Sequence, residues 1–344
     1  MKKLLFLLFV LGVSSSCKKS DVPAQPEPVL DPIEEVSLIA PENLNAPIVP
    51  QGDSTYNVIG YGYDLTGKHD DASSIRHKVV DIPAFVAAEK PDSFVPWRST
   101  ASWHDSYDAE NAEVLANLLS NKSDLTKGQK LYGGTMSELF PKTAVFSEKY
   151  VYGYYSQYVQ YKSFRFIVDN TLIGKFRKYL SPTFQSDVQN LNPEMMVKKY
   201  GTHVLAEIAI GAKLDVLYQA EVLADERSEI QENGYDAAIK TAFSFWTSRF
   251  NDIDSAMLRK VKSPALSFRV AGGDPSKIKF VKSTKGLHVD INGWLETIRT
   301  QNHVFIKADS TIPLSSLISD EKKRADVQAY ITTYLENNQV KLSK

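Results

Sequence analysis

The stretch from Tyr150 to Val168 constrains the chain more than any other. Tyr152, Tyr154, Tyr158, Phe164, Phe166 and Val168 fall on one parity, and Val159, Tyr161 and Ile167 on the other. Alternation of this kind marks a strand, whose successive side chains point to opposite faces. At about 3.3 Å per residue the strand would be on the order of 60 Å long, against a usual five or six residues. Because aromatic residues lie on both parities, both faces need a covering layer.

The segments around it supply the rest of a sheet and its covers. Tyr56 to Leu65 reads as a strand that ends in the Thr66-Gly67 turn. From Gly211 to Val222, Ala212, Leu214, Val216, Tyr218, Ala220 and Val222 alternate with Lys213, Asp215, Gln219 and Glu221, the pattern of a half-buried strand. Pro264 to Ala271 alternates again and closes in the turn Gly272-Gly273-Asp274-Pro275. Helices are marked by their start signals, a capping side chain followed by proline, at Ser181-Pro182 and Asn192-Pro193. The second of these should stop at Gly201. Another helix begins at Trp294, and Asp320 caps a last one that faces Val327, Ile331 and Tyr334 inward.

Two long segments interrupt the strands. Ser73 to Lys130 is mixed, with an extended Val79 to Pro83, Trp97 and Trp103 in polar surroundings, and a helix over Asp108 to Leu119. In Leu223 to Ser263, the residues Ile239, Phe243, Trp246, Phe250, Ile253 and Met257 recur three or four apart. That spacing predicts one continuous helical face of about five turns.

The N-terminus carries an export signal. Lys2 and Lys3 precede an apolar run from Leu4 to Val13, and Ser14 to Ser16 then lead into Cys17, the only cysteine. As a helix the run would reach only about 15 Å, half of a ~30 Å hydrocarbon core, so it is not a spanning segment. Small residues before a cysteine resemble the cleavage and lipidation site of bacterial lipoproteins, although Ser14 stands where Leu is usual. Residues 1–16 are accordingly read as signal peptide and Cys17 as the lipidated residue. The alternative is an ordinary signal with an incidental cysteine. Seven of the 16 prolines lie between Lys18 and Asp53. Residues 17–53 therefore read as an extended tether, or, for Val36 to Val49, as an arm packed on the body. The expected location is an outer-membrane lipoprotein, displayed at the surface or released.

Composition sets the remaining bounds. The formal net charge is −1, and loss of Lys2 and Lys3 with the signal takes it to −3, which offers no basic footprint for nucleic acid. The six histidines show no paired metal spacing. His203 reads as a packed helix-end histidine and Asp70-Asp71 as a loop, not a cation site. No serine sits in a nucleophile elbow and no glycine loop has phosphate-binding spacing. The expectation is no catalytic residue, no cofactor and no metal; a lipid-anchored enzyme has no motif behind it.

Tyr200-Gly201-Thr202-His203, followed by Val204, six residues and Gly211, resembles the signature of the membrane attack complex/perforin (MACPF) family. The family pattern is an aromatic, Gly, Thr or Ser, His, an aromatic, six residues, then Gly-Gly. Val204 replaces the second aromatic and Ala212 the second glycine, which should stiffen that point of the chain. Ile59 to Asp64, Gly272-Gly273, Trp294 and the stretch from Leu314 to Leu335 agree in order with other parts of the family. The resemblance covers about Tyr56 to Asn338, within a domain bounded at residues 54–344. It implies an α+β fold, with a bent, twisted four-stranded antiparallel sheet flanked by two helical clusters. In such proteins these clusters unwind on assembly into hairpins that line a pore. The implied partners are a lipid membrane, further copies of the chain in a homo-oligomer, and a surface glycan or protein receptor.

For this chain the candidate inserting face is Ile239, Phe243, Phe245, Trp246 and Phe250. As a strand, Ile239, Thr241, Phe243, Phe245 and Thr247 share one side, while Trp246 and Phe250 point to the other. Ser73 to Lys130, with Pro83, Pro91 and Pro96, shows no clear alternation. The two functions to weigh are a pore-former, antibacterial or toxin-like, and a non-lytic surface module for adhesion or glycan recognition.

Overall fold

The computed structural model describes residues 36–39, 52–90, 94–97, 100–122, 126–140, 146–222, 227–243, 255–283, 286–298 and 302–343. The signal segment, Cys17, Phe245, Trp246 and Phe250 lie outside the described residues. The chain divides into a unit over Met1–Pro32 and a unit over Ile33–Lys344, and every described residue belongs to the second.

Two strands form the axis. β6 runs Tyr150–Phe166 and β7 runs His203–Val222, and they pair antiparallel from Tyr150↔Glu221 to Arg165↔Glu207. On the far side of β6 lie β4 (Phe94–Trp97) and β5 (Ala101–Ala109), end to end along one edge. On the far side of β7, β8 (Val261–Ala271) covers its C-terminal half, from Lys213 onward. β11 (Val304–Pro313) covers its N-terminal half, up to Gly211. β2 (Tyr61–Tyr63) pairs with β7 at His203 and Val204 and with β3 (Ile75–Lys78). With β1 (Ser37–Ile39) laid parallel on β8, the sheet has nine strands. The expected class holds. The four-stranded antiparallel core is β5–β6–β7–β8, inside a larger sheet.

Gly211 is where the sheet changes partners. There β7 passes from β11 to β8, and the β6 register slips between Gln160 and Lys162. An extra residue in one strand of a pair bends it and sharpens its twist.

β7 begins eight residues earlier than its alternation suggested. Val204, Leu205, Ala206, Ile208, Ala209 and Ile210 are all buried, on both faces, so no period of two survives in the sequence. His203 is consequently the first residue of a strand, not a helix end.

Helices cover the two faces. α1 (Ile82–Glu89), α2 (Ala112–Ser120) and α3 (Gly134–Ser137) lie in the first third of the described chain. α4 (Asn170–Phe176), α5 (Pro182–Asn190) and α6 (Pro193–Tyr200) fill the β6–β7 connection, with Asp169, Ser181 and Asn192 capping their first turns. α7 (Arg227–Ala242) lies between β7 and β8. After β8 come the ribbon β9 (Lys279–Ser283) and β10 (Gly286–Asp290), α8 (Asn292–Thr297) and, after β11, α9 (Glu321–Asn337). One core joins Leu115 and Leu119 of α2 and Val327 and Ile331 of α9 to Tyr152, Tyr154 and Leu217 of the sheet. A second joins Ile230, Ile239 and Phe243 to Val151, Tyr155, Val216, Tyr218 and Phe268 on the opposite face. No described helix is long and apolar enough to cross a membrane.

Three expectations change. Within Ser73 to Lys130, residues 101–109 are a sheet strand, so the first helical insertion is residues 110–149, between β5 and β6. β5 was missed because Ala-Ser-Trp-His-Asp-Ser-Tyr-Asp-Ala is a largely half-buried polar strand. The single helical face predicted from Ile239 to Met257 also does not hold. α7 starts at Arg227 and ends at Ala242, Phe243 forms a bridge with Val289, and Ser255–Lys260 is a 3-10 turn. Finally, Ser37–Ile39 pairs with β8, so this part of residues 17–53 is a packed arm, not a free tether.

Candidate functional site

The YGTH residues lock the start of β7 to β2. Tyr200 is fully buried and its hydroxyl donates to Asp187 Oδ2 (2.5 Å). Gly201 takes φ +75° and ψ −165°, a region almost confined to glycine. A methyl group there would lie 2.5 Å from the Tyr63 carbonyl oxygen. Gly62 faces it across the crossing, and any side chain on Gly62 would run into the Tyr200 carbonyl. Thr202 N–H donates to Tyr63 O (3.0 Å), its carbonyl accepts from Leu314 N–H (3.1 Å), and its hydroxyl accepts from Leu65 N–H (3.3 Å). The signature is a backbone joint between β2, β7 and the end of β11.

His203 sits inside that joint, 5% exposed, with Nδ1 3.0 Å from Thr202 Oγ1. Burial pushes its pKa from 6.5 down to about 4. The folded chain thus refuses a proton that the unfolded chain accepts. The resulting stability is fully present above about pH 6.5 and is lost as pH falls toward 4, by roughly 3 kcal/mol. His203→Gln is expected to flatten the fall in urea-unfolding free energy across that window. A residual slope should remain from His69, which burial and Lys213 shift in the same direction.

At the bend, a side chain on Gly211 would strike the Val159 carbonyl, so β6 approaches β7 more closely here than a substituted residue permits. Gly272 carbonyl accepts from Trp294 Nε1–H (2.9 Å), Gly273 N–H donates to Asn302 O (3.2 Å), and Asn302 Nδ2 donates to Gly273 O (2.9 Å). Gly211, Gly272, Gly273 and Trp294 are therefore brought together. Ala212, in the place of a second glycine, is buried in the α7 core.

No local pattern foretells the charge cluster beside the bend. Lys213 and Asp215 alternate with the apolar residues of β7 as a solvated face would, yet they are 2% and 1% exposed. The loop between β2 and β3 covers them. Lys213 Nζ donates to Asp70 O (2.6 Å) and pairs with Asp215 Oδ2 (2.9 Å). Arg269 bridges Asp215 (3.0 Å) and Asp71 (2.7 Å). Ser156 (2.6 Å) and Tyr154 (3.1 Å) hydroxyls donate to Asp215 Oδ1, Tyr158 hydroxyl donates to Asp70 Oδ2 (3.0 Å), and Ala308 N–H donates to Asp70 Oδ1 (3.0 Å). Burial alone would raise the pKa of Asp215, but Lys213 and Arg269 outweigh it and hold the carboxyl at about 2. Asp71 is lowered against the same burial penalty by Arg269 and Lys213. This cluster clamps β6, β7, β8 and β11 to one loop.

Of the candidate inserting face, Ile239 and Phe243 are buried against the sheet, and Phe243 meets Phe268 edge-on at 5.6 Å. α7 rests on the sheet through Tyr235, whose ring lies over Gly153 and whose hydroxyl bonds Ser106. Arg227 donates to the carbonyls of Glu110, Glu148 and Tyr150. From Tyr235 onward α7 also alternates, with Tyr235, Ala237, Ile239, Thr241 and Phe243 set against Asp236, Ala238, Lys240 and Ala242.

The comparisons agree with this architecture. The structure is similar to that of a putative cell invasion protein with a MAC/Perforin domain from Bacteroides thetaiotaomicron, with a TM-score of 0.64 and 17% identity over 85% of this chain and 64% of that one. It is also similar to GNIP1Aa from Chromobacterium piscinae, with a TM-score of 0.59 and 17% identity over 82% of this chain and 56% of that one. The chain thus spans less than two thirds of either protein. No curated protein sequence matches it. The MAC/Perforin domain family matches residues 54–343, nearly all of the described body, and the chain belongs to that family.

Proposed function

We propose that this protein is a pore-former that assembles on a target membrane and inserts the connections 110–149 and 223–260 as β-hairpins. One observation carries the reading. Both connections leave the same end of four contiguous antiparallel strands, and each joins two strands that are already paired. The first spans the pair Ala109↔Tyr152 and the second the pair Val222↔Val261, with Tyr150↔Glu221 between them. Extending each connection therefore continues an existing ladder with no change of topology. The end of α7 and the residue after it also carry the strand period that such a change requires, with Tyr235, Ala237, Ile239, Thr241 and Phe243 on one parity. Nine residues match a membrane-crossing strand of about nine to eleven.

Insertion of this kind would require assembly into a closed ring, because an open sheet edge cannot sit in hydrocarbon. Among the described residues β5 pairs only with β6, and β8 is covered on its outer side by the three residues of β1. Strand direction alternates across β5–β6–β7–β8, so β5 of one copy meets β8 of the next antiparallel. We further propose that Cys17 carries the lipid and that the protein acts from an outer-membrane surface or after release.

Incubation with lipid vesicles is expected to give both dye leakage and ring-shaped oligomers by electron microscopy. Binding without either would favour the non-lytic surface module for adhesion or glycan recognition.

A further inference from the structure

The segment after α9 runs back along the first connection and holds it at three places. Val340 N–H donates to Lys130 O (2.8 Å), Leu342 N–H to Glu113 Oε1 (2.9 Å) and Ser343 N–H to Phe146 O (2.8 Å), where Ser343 also bridges Ser147. Val340 is buried and Leu342 packs against the same core as α2, while Lys341 and Ser343 are exposed. Lys130 Nζ and Glu113 Oε2 form an ion pair, so these two residues are tied to each other as well as to Val340 and Leu342.

We infer that residues 340–343 are a latch on the first connection, an inference that rests on the hairpin reading above. The latched and extended states exclude each other by distance. In a hairpin that continues the Ala109↔Tyr152 ladder, Lys130 stands at the tip, 21 residues from Ala109 and 22 from Tyr152. Glu113 stays near the base, 17 residues from Lys130. At about 3.3 Å per residue, that stretch opens to roughly 55 Å. Val340 and Leu342 are only two residues apart in the chain and span at most about 7 Å. One segment therefore cannot keep both contacts once the connection extends. None of these bonds reaches α7. Release of residues 340–343 thus gates the first hairpin and leaves the second to its own contacts with the sheet.

Two measurements on the full-length chain test the latch. In hydrogen exchange without lipid, Val340→Ser/Leu342→Ser is expected to speed exchange across α2 and α3 roughly tenfold or more, with α7 exchanging as in wild type. Unchanged exchange at α2 and α3, or an equal rise at α7, would overturn the inference. The second measurement is a reversible lock. A Cβ atom on Gly133 would lie 3.1 Å from Val340 Cγ2, which puts a cysteine pair at these positions within disulfide reach. Gly133→Cys/Val340→Cys, made with Cys17→Ser, is expected to bind vesicles in both redox states, to release dye when reduced and to lose that release when oxidised. Leakage of the oxidised protein at the reduced protein's rate would overturn the latch. Absence of leakage from wild type as well would sink the hairpin reading alone, with the exchange contrast between α2 and α7 still deciding whether residues 340–343 hold the first connection.

Discussion

Asp215→Ala is expected to lower the unfolding free energy by about 3–5 kcal/mol, the usual cost of removing one partner of a buried ion pair. The reason is what stays behind. Lys213 and Arg269 would remain buried, at 2% and 14% side-chain exposure, without the carboxylate that both of them bind. Ser156 and Tyr154 would lose their acceptor as well. A loss of this size is a large share of a domain's ordinary 5–15 kcal/mol. Hydrogen exchange should also rise at residues 68–74, because the loop is held through Asp70 and Asp71. The acid limb of the wild-type curve has the matching sign. Stability from Asp215 is fully present above about pH 4 and is lost as pH falls through about 2. A urea-unfolding difference under 1 kcal/mol would mean that the cluster is not a clamp.

Gly62→Ala and Gly201→Ala should each cost on the order of 3 kcal/mol. Both put a methyl group against a backbone carbonyl, Tyr200 O in one case and, in the other, Tyr63 O, which Thr202 N–H holds in place. Neither neighbour is a flexible side chain that could move aside. Gly174→Ala is the internal control. It lies in α4 with no atom within 4 Å of the new methyl group, and should stabilise by up to about 1 kcal/mol. Thermal unfolding of the three variants side by side checks the contrast. Equal melting temperatures would remove the steric account of the signature.

What the sequence made legible follows from period and punctuation. β6 announces itself because aromatics recur through its seventeen residues, six of the eight on one parity. Ser181, Asn192 and Asp320 announce helix starts because each accepts the backbone N–H three residues on. The signature spacing found the joint and the bend together, since Gly201 and Gly211 are both positions where no side chain fits. The rest was hidden for physical reasons. The first eight residues of β7 are, all but Glu207, buried on both faces and lose their alternation. β5 is a polar strand that local pattern cannot distinguish from loop. Lys213 and Asp215 read as a solvated face because nothing local shows that Asp70 and Asp71, some 140 residues earlier, will cover them. Arg269, on β8, carried no signal until the pairing of β7 with β8 placed it beside Asp215.

The measurement closest to the central claim is a reversible lock on α7. Phe243 and Val289 form a β-bridge, which sets their Cα atoms at about 5 Å, within disulfide range. Phe243→Cys/Val289→Cys, made with Cys17→Ser so that no other thiol is present, would pin the end of α7 to β10. Dye leakage from vesicles is expected to be absent when the pair is oxidised and to return on reduction, with vesicle binding unchanged in both states. Leakage of the oxidised protein at the reduced protein's rate would show that the second connection need not leave the sheet, and would contradict the account.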